Sequence, residues 1–406
     1  MTKKILLISP FFFPEKISTG KYNTFLATTL KKSTTQINVI TSHPIYPNWR
    51  PKRSHSKISG IEIYRGGSLM IYPKSSILRR AFLEIWFSFH SINRYLYLRN
   101  KCDIILPVFP PSLFFILINL FKPKKTCSIG IVHDLQGVYS QRKTSNIIYF
   151  LINKIVSLIE RKSLQSCNYL IFLSKSMKDR AIENYRLIPE FCSVNYPFVT
   201  QHKKSNSSKK IDLIFNKNKF NFVYSGALGE KQNPEQLFIL MDRLSKLDEN
   251  IDCHIFSEGP IFTQLRNRAK NFSSKVFFHH LVDEKFLNQL YSYCDLQVIP
   301  QAFGTSEGSI PSKLPNLLAS SIKILAICEK SSELSAIVNN YEAGVVIDTW
   351  DIDEIINLFL INKNYFNSKI KPFKNKFLKE INIEFNINMT VKNILNNYQH
   401  FKTNNL

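Results

Sequence analysis

Two blocks of this chain repeat one rhythm, and a polar stretch separates them. In the first block "KKILLIS" (3–9) is a short continuous apolar run, and "INVITS" (37–42), "DIILPV" (103–108) and "TCSIGIV" (126–132) follow as further strand segments. A run that is apolar at every position reads as a strand buried on both faces, as in a parallel sheet. "IEIYRG" (61–66) adds another strand, after the loop "HPIYPNWRPKRSHSKISG". Helical segments lie between the runs. One follows a loop containing Gly20, a long basic and aromatic one runs from about Ser75 to Arg99, and "IIYFLINKIVSLIERKSLQSC" comes later, with "NYLIFLSKSMKDRAIENY" after it continuing the alternation as strand and helix. Parallel neighbours need crossover connections, usually helices, so the alternation predicts an α/β doubly wound sheet.

"TQHKKSNSSKK" (200–210) is Ser-rich and basic and reads as linker. The alternation then restarts with "FNFVYSGAL" (220–228), "IDCHIFSEGP" (251–260), "KVFFHHLV", "DLQVIP" and "AGVVID" (343–348). The predicted organisation is a first domain over 1–199, a linker over 200–219, a second domain over 220–375, and a helical tail over 376–406 that packs back on the first domain. A chain of 406 residues exceeds one ordinary core. Two such halves should form a cleft, and open parallel sheets bind ligands at the carboxyl ends of their strands.

Charge narrows the partners. Lys and Arg number 54 against 30 Asp and Glu, a net charge of +24. That excess attracts nucleic acid, an anionic membrane or a phosphate-bearing ligand, although AT-rich coding also enriches Lys, Asn and Ile. The seven cysteines are scattered without a CxxC pair, which argues against zinc and for free thiols in a reducing cytoplasm. "MTKKILLISPFFFPE" lacks a signal-peptide cleavage site. "DIILPVFPPSLFFILINLFKPKK" (103–125) is cut by Pro107, Pro110 and Pro111, leaving about ten apolar residues where a membrane span needs about twenty.

The loops at the strand ends hold the chemistry. In "SIPSKLPNLLASSIKILAI" (309–327), Lys313 stands where a helix begins. A cation there is unfavourable by itself, and is explained if a phosphate shares the site. Gly226, Gly229 and Lys231 sit where a strand turns into a helix, and glycines there let backbone approach a phosphate. A plain strand-to-helix turn is the bland alternative. His133 and Asp134 follow an apolar strand, where they could orient a hydroxyl or stabilise charge. The pair His279-His280 has no spaced third metal ligand and reads as a strand end. The segment 74–101 has six basic residues, one acid and many aromatics. It suits a membrane surface, or a core helix with a basic outer face.

"YSGALGEKQNPEQL" and "PSKLPNLLAS" together resemble the donor-binding domain of retaining glycosyltransferases of family 4, which have the GT-B fold. More narrowly, the chain is similar to bacterial fucosyl- and N-acetylfucosaminyltransferases of colanic-acid and O-antigen synthesis. "SPFFFPEKISTGKY", "VITSHPIYPNW", "HDLQG" and "ERKSLQSCNYLIFLSKSMKDRA" agree, so the resemblance spans roughly residues 1–350. It implies that Gly20 faces the donor phosphate or the acceptor, that Gly226, Gly229, Lys231, Ser312, Lys313 and Leu314 serve the donor, and that Glu258 and Gly259 form a loop near the base. It makes His133 and Asp134 the candidate catalytic pair. Many relatives carry two Glu residues separated by seven, one facing the donor sugar and one binding the ribose. Here the second position is Asn316 and the first Gly308, with Glu307 one residue out of register. Where relatives have a Gly after "GEKQ", this chain has Asn233.

The resemblance implies transfer of a sugar from a nucleotide diphosphate sugar to a lipid-linked oligosaccharide at the inner face of the bacterial plasma membrane. It implies no cofactor, and no metal, since no DxD-type motif stands where one would be needed. A sugar-nucleotide 2-epimerase on the same fold would need carboxylates converging on the sugar. A nucleic-acid-binding protein would cluster its charge with aromatics on one face; here the phosphate loops sit at strand ends, so no nucleic-acid partner is expected.

Overall fold

The computed structural model describes residues 3–15, 17–139, 147–199, 207–271, 274–305, 310–368 and 375–404. The chain divides into two compact units, Met1–Pro197 with Asn386–Leu406, and Phe198–Phe385.

Among the described residues the first unit has seven strands: β1 (Lys4–Ile8), β2 (Gln36–Ser42), β3 (Ile61–Gly66), β4 (Ile104–Phe109), β5 (Cys127–Val132), β6 (Tyr169–Phe172) and β7 (Cys192–Val194). They form one parallel sheet in the order β3-β2-β1-β4-β5-β6-β7. The interior strands β4 and β5 are buried at every position, as their unbroken apolar runs require. β7 was not expected from sequence. Its three residues are too short for a pattern, and it exists through pairing of Leu170 with Cys192.

The second unit contributes β8 (Phe220–Ser225), β9 (Ile251–Phe256), β10 (Phe277–His279), β11 (Leu296–Pro300), β12 (Ile324–Ile327) and β13 (Gly344–Ile347). These too are all parallel, in the order β10-β9-β8-β11-β12-β13. Strand order reverses between β1 and β4 in one sheet and between β8 and β11 in the other. Connections from the two strands at such a reversal leave toward opposite faces, and this opens a crevice at the carboxyl edge.

Aromatic packing fills both cores. In the first unit Phe87, Phe109, Phe114 and Phe115 are fully buried, with Phe87 and Phe114 ring centres 5.6 Å apart. In the second, Phe359 of the Ile352–Ile361 helix meets Phe220 and Phe222, each at 5.9 Å. Burying each such ring contributes about 2–3 kcal/mol.

The Ser76–Leu98 helix turns Leu83, Phe87, Ser91, Tyr95 and Leu98 inward at helical spacing. Its outer face is not merely basic, because Leu78, Ile85 and Phe89 are exposed there at 60%, 53% and 68%. Trp86, by contrast, is half-buried and donates from Nε1 to the Tyr72 hydroxyl at 3.0 Å.

The structure adds detail to the stretch read as linker and to the tail. Within the stretch read as linker, residues 200–206 lie outside the described residues and Lys209–Asp212 is a helical turn. The tail divides: Asn375–Glu384 packs on the Leu314–Ala319 helix in the second unit, and Ile387–Asn404 packs on the Ser18–Leu30 helix and β5 in the first. Asn393 Nδ2 donates to Asn195 Oδ1 at 2.8 Å there. The helix opened by Lys313 is only six residues long.

Candidate functional site

In the second unit, the loops after β8 and β11 flank the strand-order reversal and carry the two candidate phosphate lysines. Gly226 has φ +148°, a conformation that side chains disfavour, and its N–H donates to the Phe256 carbonyl at 3.0 Å. The Tyr224 hydroxyl donates to the Ala227 carbonyl at 2.6 Å and pins the turn from below. Lys231 lies in a one-turn 3-10 helix, Glu230–Gln232, closed by Gln232 N to Gly229 O (2.9 Å) and Gly229 N to Gln232 Oε1 (3.0 Å). The Ala302 N–H donates to the Lys231 carbonyl at 2.8 Å, joining the two loops. Gly229 has φ −138°, open to any residue. Asn233 is left-handed at φ +44° and precedes Pro234, the first residue of the Pro234–Leu247 helix. Asn is among the few non-glycine residues that visit this region readily, so it can stand where relatives have glycine.

Lys313 does not extend into solvent. Its amino group is enclosed, donates to the Val298 carbonyl at 3.1 Å and lies 4.0 Å from the Tyr224 ring centre. Burial pushes its pKa down to about 7. Ser312 is exposed, Leu314 fully buried and Asn316 buried. Glu307 and Gly308 lie outside the described residues. Glu258 and Gly259 follow β9 and are half-buried; Gly259 has φ +105°, with open space where a Cβ would stand. His279 ends β10 with Nε2 3.1 Å from His254 Nδ1, and burial holds the two histidines down at about 4 and about 3. Asp351 and Asp353, a D-x-D spacing, are structural. Asp351 caps the Ile352–Ile361 helix by accepting from Glu354 N, and Asp353 pairs with Arg243. Among the described residues no three His, Cys, Asp or Glu side chains converge as a metal set.

In the first unit Gly20 has a local packing reason. A Cβ there would meet Glu15 Cβ at 2.9 Å, and Glu15, 5% exposed, accepts from the N–H groups of Ile45 (2.7 Å) and Tyr46 (3.3 Å). His133 and Asp134 follow β5, the strand beyond β4 from the reversal. The His133 ring stands edge-on to Tyr22 at 4.7 Å, and its Nε2 is buried without a hydrogen-bond partner among the described residues. Burial holds its pKa down at about 3, so it is neutral at physiological pH. The Asp134 Oδ1 accepts from Leu135 N at 3.1 Å.

Sequence reasoning missed the residues beneath these loops. Tyr224, Tyr22, Glu15, Glu84 and Glu160 were not singled out, though an acid amid the apolar and basic helix "IIYFLINKIVSLIERKSLQSC" was a usable signal for Glu160. Glu160 is 2% exposed, accepts from Gln136 N, Gly137 N and the Tyr185 hydroxyl, and is pushed up to about 7 by burial against the pull of those donors.

Residues 206–365 match the family model described as glycosyl transferases group 1. The chain is 24% identical over 377 residues to the Escherichia coli (strain K12) protein named as colanic acid biosynthesis glycosyl transferase WcaI, covering 87% of this chain and 90% of that one. Its fold is similar to sucrose-phosphate synthase from Thermosynechococcus elongatus (TM-score 0.74, 15% identity, 99% of each chain). It is also similar to WaaG, a glycosyltransferase involved in lipopolysaccharide biosynthesis (TM-score 0.65, 12% identity, 94% and 99% covered). A further likeness is Anabaena Alr3699/HepE, solved with UDP and glucose (TM-score 0.63, 11% identity, 97% and 98% covered). The fold is therefore GT-B, and the chain carries a group 1 glycosyltransferase domain and is a transferase enzyme.

Proposed function

We propose that this enzyme transfers a sugar, with retention of configuration, from a nucleotide diphosphate sugar to a lipid-linked oligosaccharide in the synthesis of a bacterial surface polysaccharide. The observation that carries the reading is the pair of loops, residues 226–233 and 310–313, inside the matched glycosyltransferase segment at the carboxyl edge of a parallel sheet. The names of WcaI and WaaG support the polysaccharide setting, and the HepE complex supports UDP as first choice of nucleotide, with GDP second. A fucose or N-acetylfucosamine type of donor follows from the resemblance alone.

The reaction needs charge stabilisation at a departing diphosphate. Fixed N–H dipoles of the β8 turn, Lys231 and Lys313 would provide it without a metal. Gly226 and Gly229 would let backbone approach the phosphates. Ser312 and Asn316 would line the donor site, with Leu314 packed beneath them rather than facing the ligand, and Glu258 and Gly259 would line the region of the base. His133, neutral at working pH, would orient a sugar hydroxyl by hydrogen bond, with Asp134 beside it.

The acceptor's lipid motivates a membrane face on the first unit. No helix among the described residues is long and apolar enough to cross a membrane. The Ser76–Leu98 helix packs on Leu113–Phe121, which packs on Ile147–Gln165. All three expose apolar side chains, among them Phe89, Leu120 and Ile155, with Arg80, Lys124 and Lys154 also exposed. Apolar insertion with basic residues nearby suits the anionic inner leaflet.

Mass spectrometry of the purified enzyme with a panel of sugar nucleotides tests the reading. One donor should be retained, and its sugar should appear on a lipid-linked acceptor. Conversion of the donor to its C2 epimer, without transfer, would favour an epimerase instead.

A further inference from the structure

Three loops at the carboxyl edge of the first sheet are held by one device. Glu15, from the loop after β1, accepts the successive N–H groups of Ile45 and Tyr46 after β2. Glu84, from the Ser76–Leu98 helix, accepts Ser112 N on both oxygens at 3.0 Å and Leu113 N at 2.9 Å, after β4. Glu160, from the Ile147–Gln165 helix, accepts Gln136 N on Oε1 and Gly137 N on Oε2, both at 2.9 Å, after β5. Burying a carboxylate is costly unless its oxygens are filled. Spending three acids, Glu15 and Glu160 buried and Glu84 half-buried, on backbone N–H pairs, in a chain with 30 acids against 54 bases, marks these loops as ones whose shape matters.

The third loop is the one that carries His133. Tyr185 donates to Glu160 Oε2 at 2.5 Å, and a Cβ on Gly137 would meet the Tyr185 hydroxyl at 2.5 Å and Ser157 Cα at 2.7 Å. The turn is thus clamped from two helices. Upstream, His133 N donates to the Phe109 carbonyl at 2.9 Å. No hydrogen bond among the described residues holds His133 Nε2, so backbone shape and the Tyr22 contact decide where the ring points.

We propose that Glu160 is a positioning residue for the transfer reaction: by clamping the Gln136–Gly137 amides it fixes the turn that presents His133 and Asp134, without touching substrate. The inference rests on the glycosyltransferase reading and names a residue which that reading does not use.

The test is Glu160→Gln, which keeps shape but puts an NH2 group against one of the three donors. Transfer kcat should fall tenfold or more, with KM for the nucleotide sugar changed less than twofold, because the donor loops belong to the other unit. Hydrogen exchange of the peptide spanning 133–137 should quicken. In a His133→Ala background, Glu160→Gln should remove little further activity, since coupled residues are not additive. Tyr185→Phe, which leaves both amide bonds, should give a smaller fall and carries the test if Glu160→Gln does not fold. Unchanged kcat, additive losses in the double variant, or a matching loss of donor affinity would each overturn the proposal. If the wild type transfers no sugar, the glycosyltransferase reading fails and the positioning role fails with it. Faster exchange in Glu160→Gln would then leave only a structural clamp.

Discussion

The Lys313 amino group lies 4.0 Å from the centre of the Tyr224 ring, and the Tyr224 hydroxyl donates to the Ala227 carbonyl at the turn that leads to Lys231. One tyrosine therefore underlies both elements of the proposed phosphate site. The lysine is stored against an aromatic face and the Val298 carbonyl rather than held out in water.

Storage makes its charge conditional. The folded pKa is about 7 against the ordinary lysine value of 10.5, so between those values the unfolded chain holds the extra proton. By linkage, this group's contribution to stability rises as pH increases through that window and is smallest below it. Wild type should therefore gain melting temperature relative to Lys313→Met between pH 7 and pH 9, a range chosen inside the window. A difference that does not move with pH would place the lysine in water.

A phosphate arriving beside Lys313 would restore its charge. Binding of a nucleoside diphosphate near pH 8, above the folded value of about 7, should take up protons from buffer. Calorimetry in two buffers of different ionisation enthalpy reads this directly. Wild type should show uptake that Lys313→Met lacks, and equal uptake in both would separate Lys313 from the phosphates.

Lys231→Ala should weaken nucleoside diphosphate binding by about 1.5–3 kcal/mol, the range for a lost charged hydrogen bond. The free nucleoside should bind as before. Equal losses for both ligands would mean that the 3-10 turn had collapsed rather than lost a phosphate contact.

Transfer should continue in excess EDTA. The proposed stabilisation uses lysines and backbone N–H groups, and a divalent ion would need oxygen ligands, chiefly carboxylates. Activity that vanishes with EDTA and returns with Mg²⁺ or Mn²⁺ would contradict this.

On the membrane face, Phe89→Glu and Arg80→Glu should lower sedimentation with anionic vesicles, each basic residue near the surface being worth about 1 kcal/mol. High salt should weaken binding of the wild type by screening. Trp86→Ala should act differently. It removes a half-buried ring packed against Tyr72, and should destabilise the first unit by about 0.5–3 kcal/mol. Vesicle binding unaffected by the two Glu substitutions would remove this face from consideration.

The alternation of apolar runs and helical stretches was enough to read two parallel α/β sheets, because strands buried on both faces must be apolar throughout. β1 at Lys4–Ile8 and the helix at Ser76–Leu98 fall within a residue or two of where the pattern puts them. Likewise, glycines and lysines at strand ends marked the loops that a phosphate could approach. Strand order, and hence the placing of Lys231 and Lys313 on either side of a reversal, depends on hydrogen bonds between distant segments and leaves no local trace. The same holds for β7, which is too short to carry a period, and for the inward turn of Lys313, since a side chain's direction depends on Tyr224 some ninety positions earlier. Glu160 shows the limit most plainly. Its letter is an ordinary helix acid, and only the packing of two helices against one turn makes it a clamp on backbone amides.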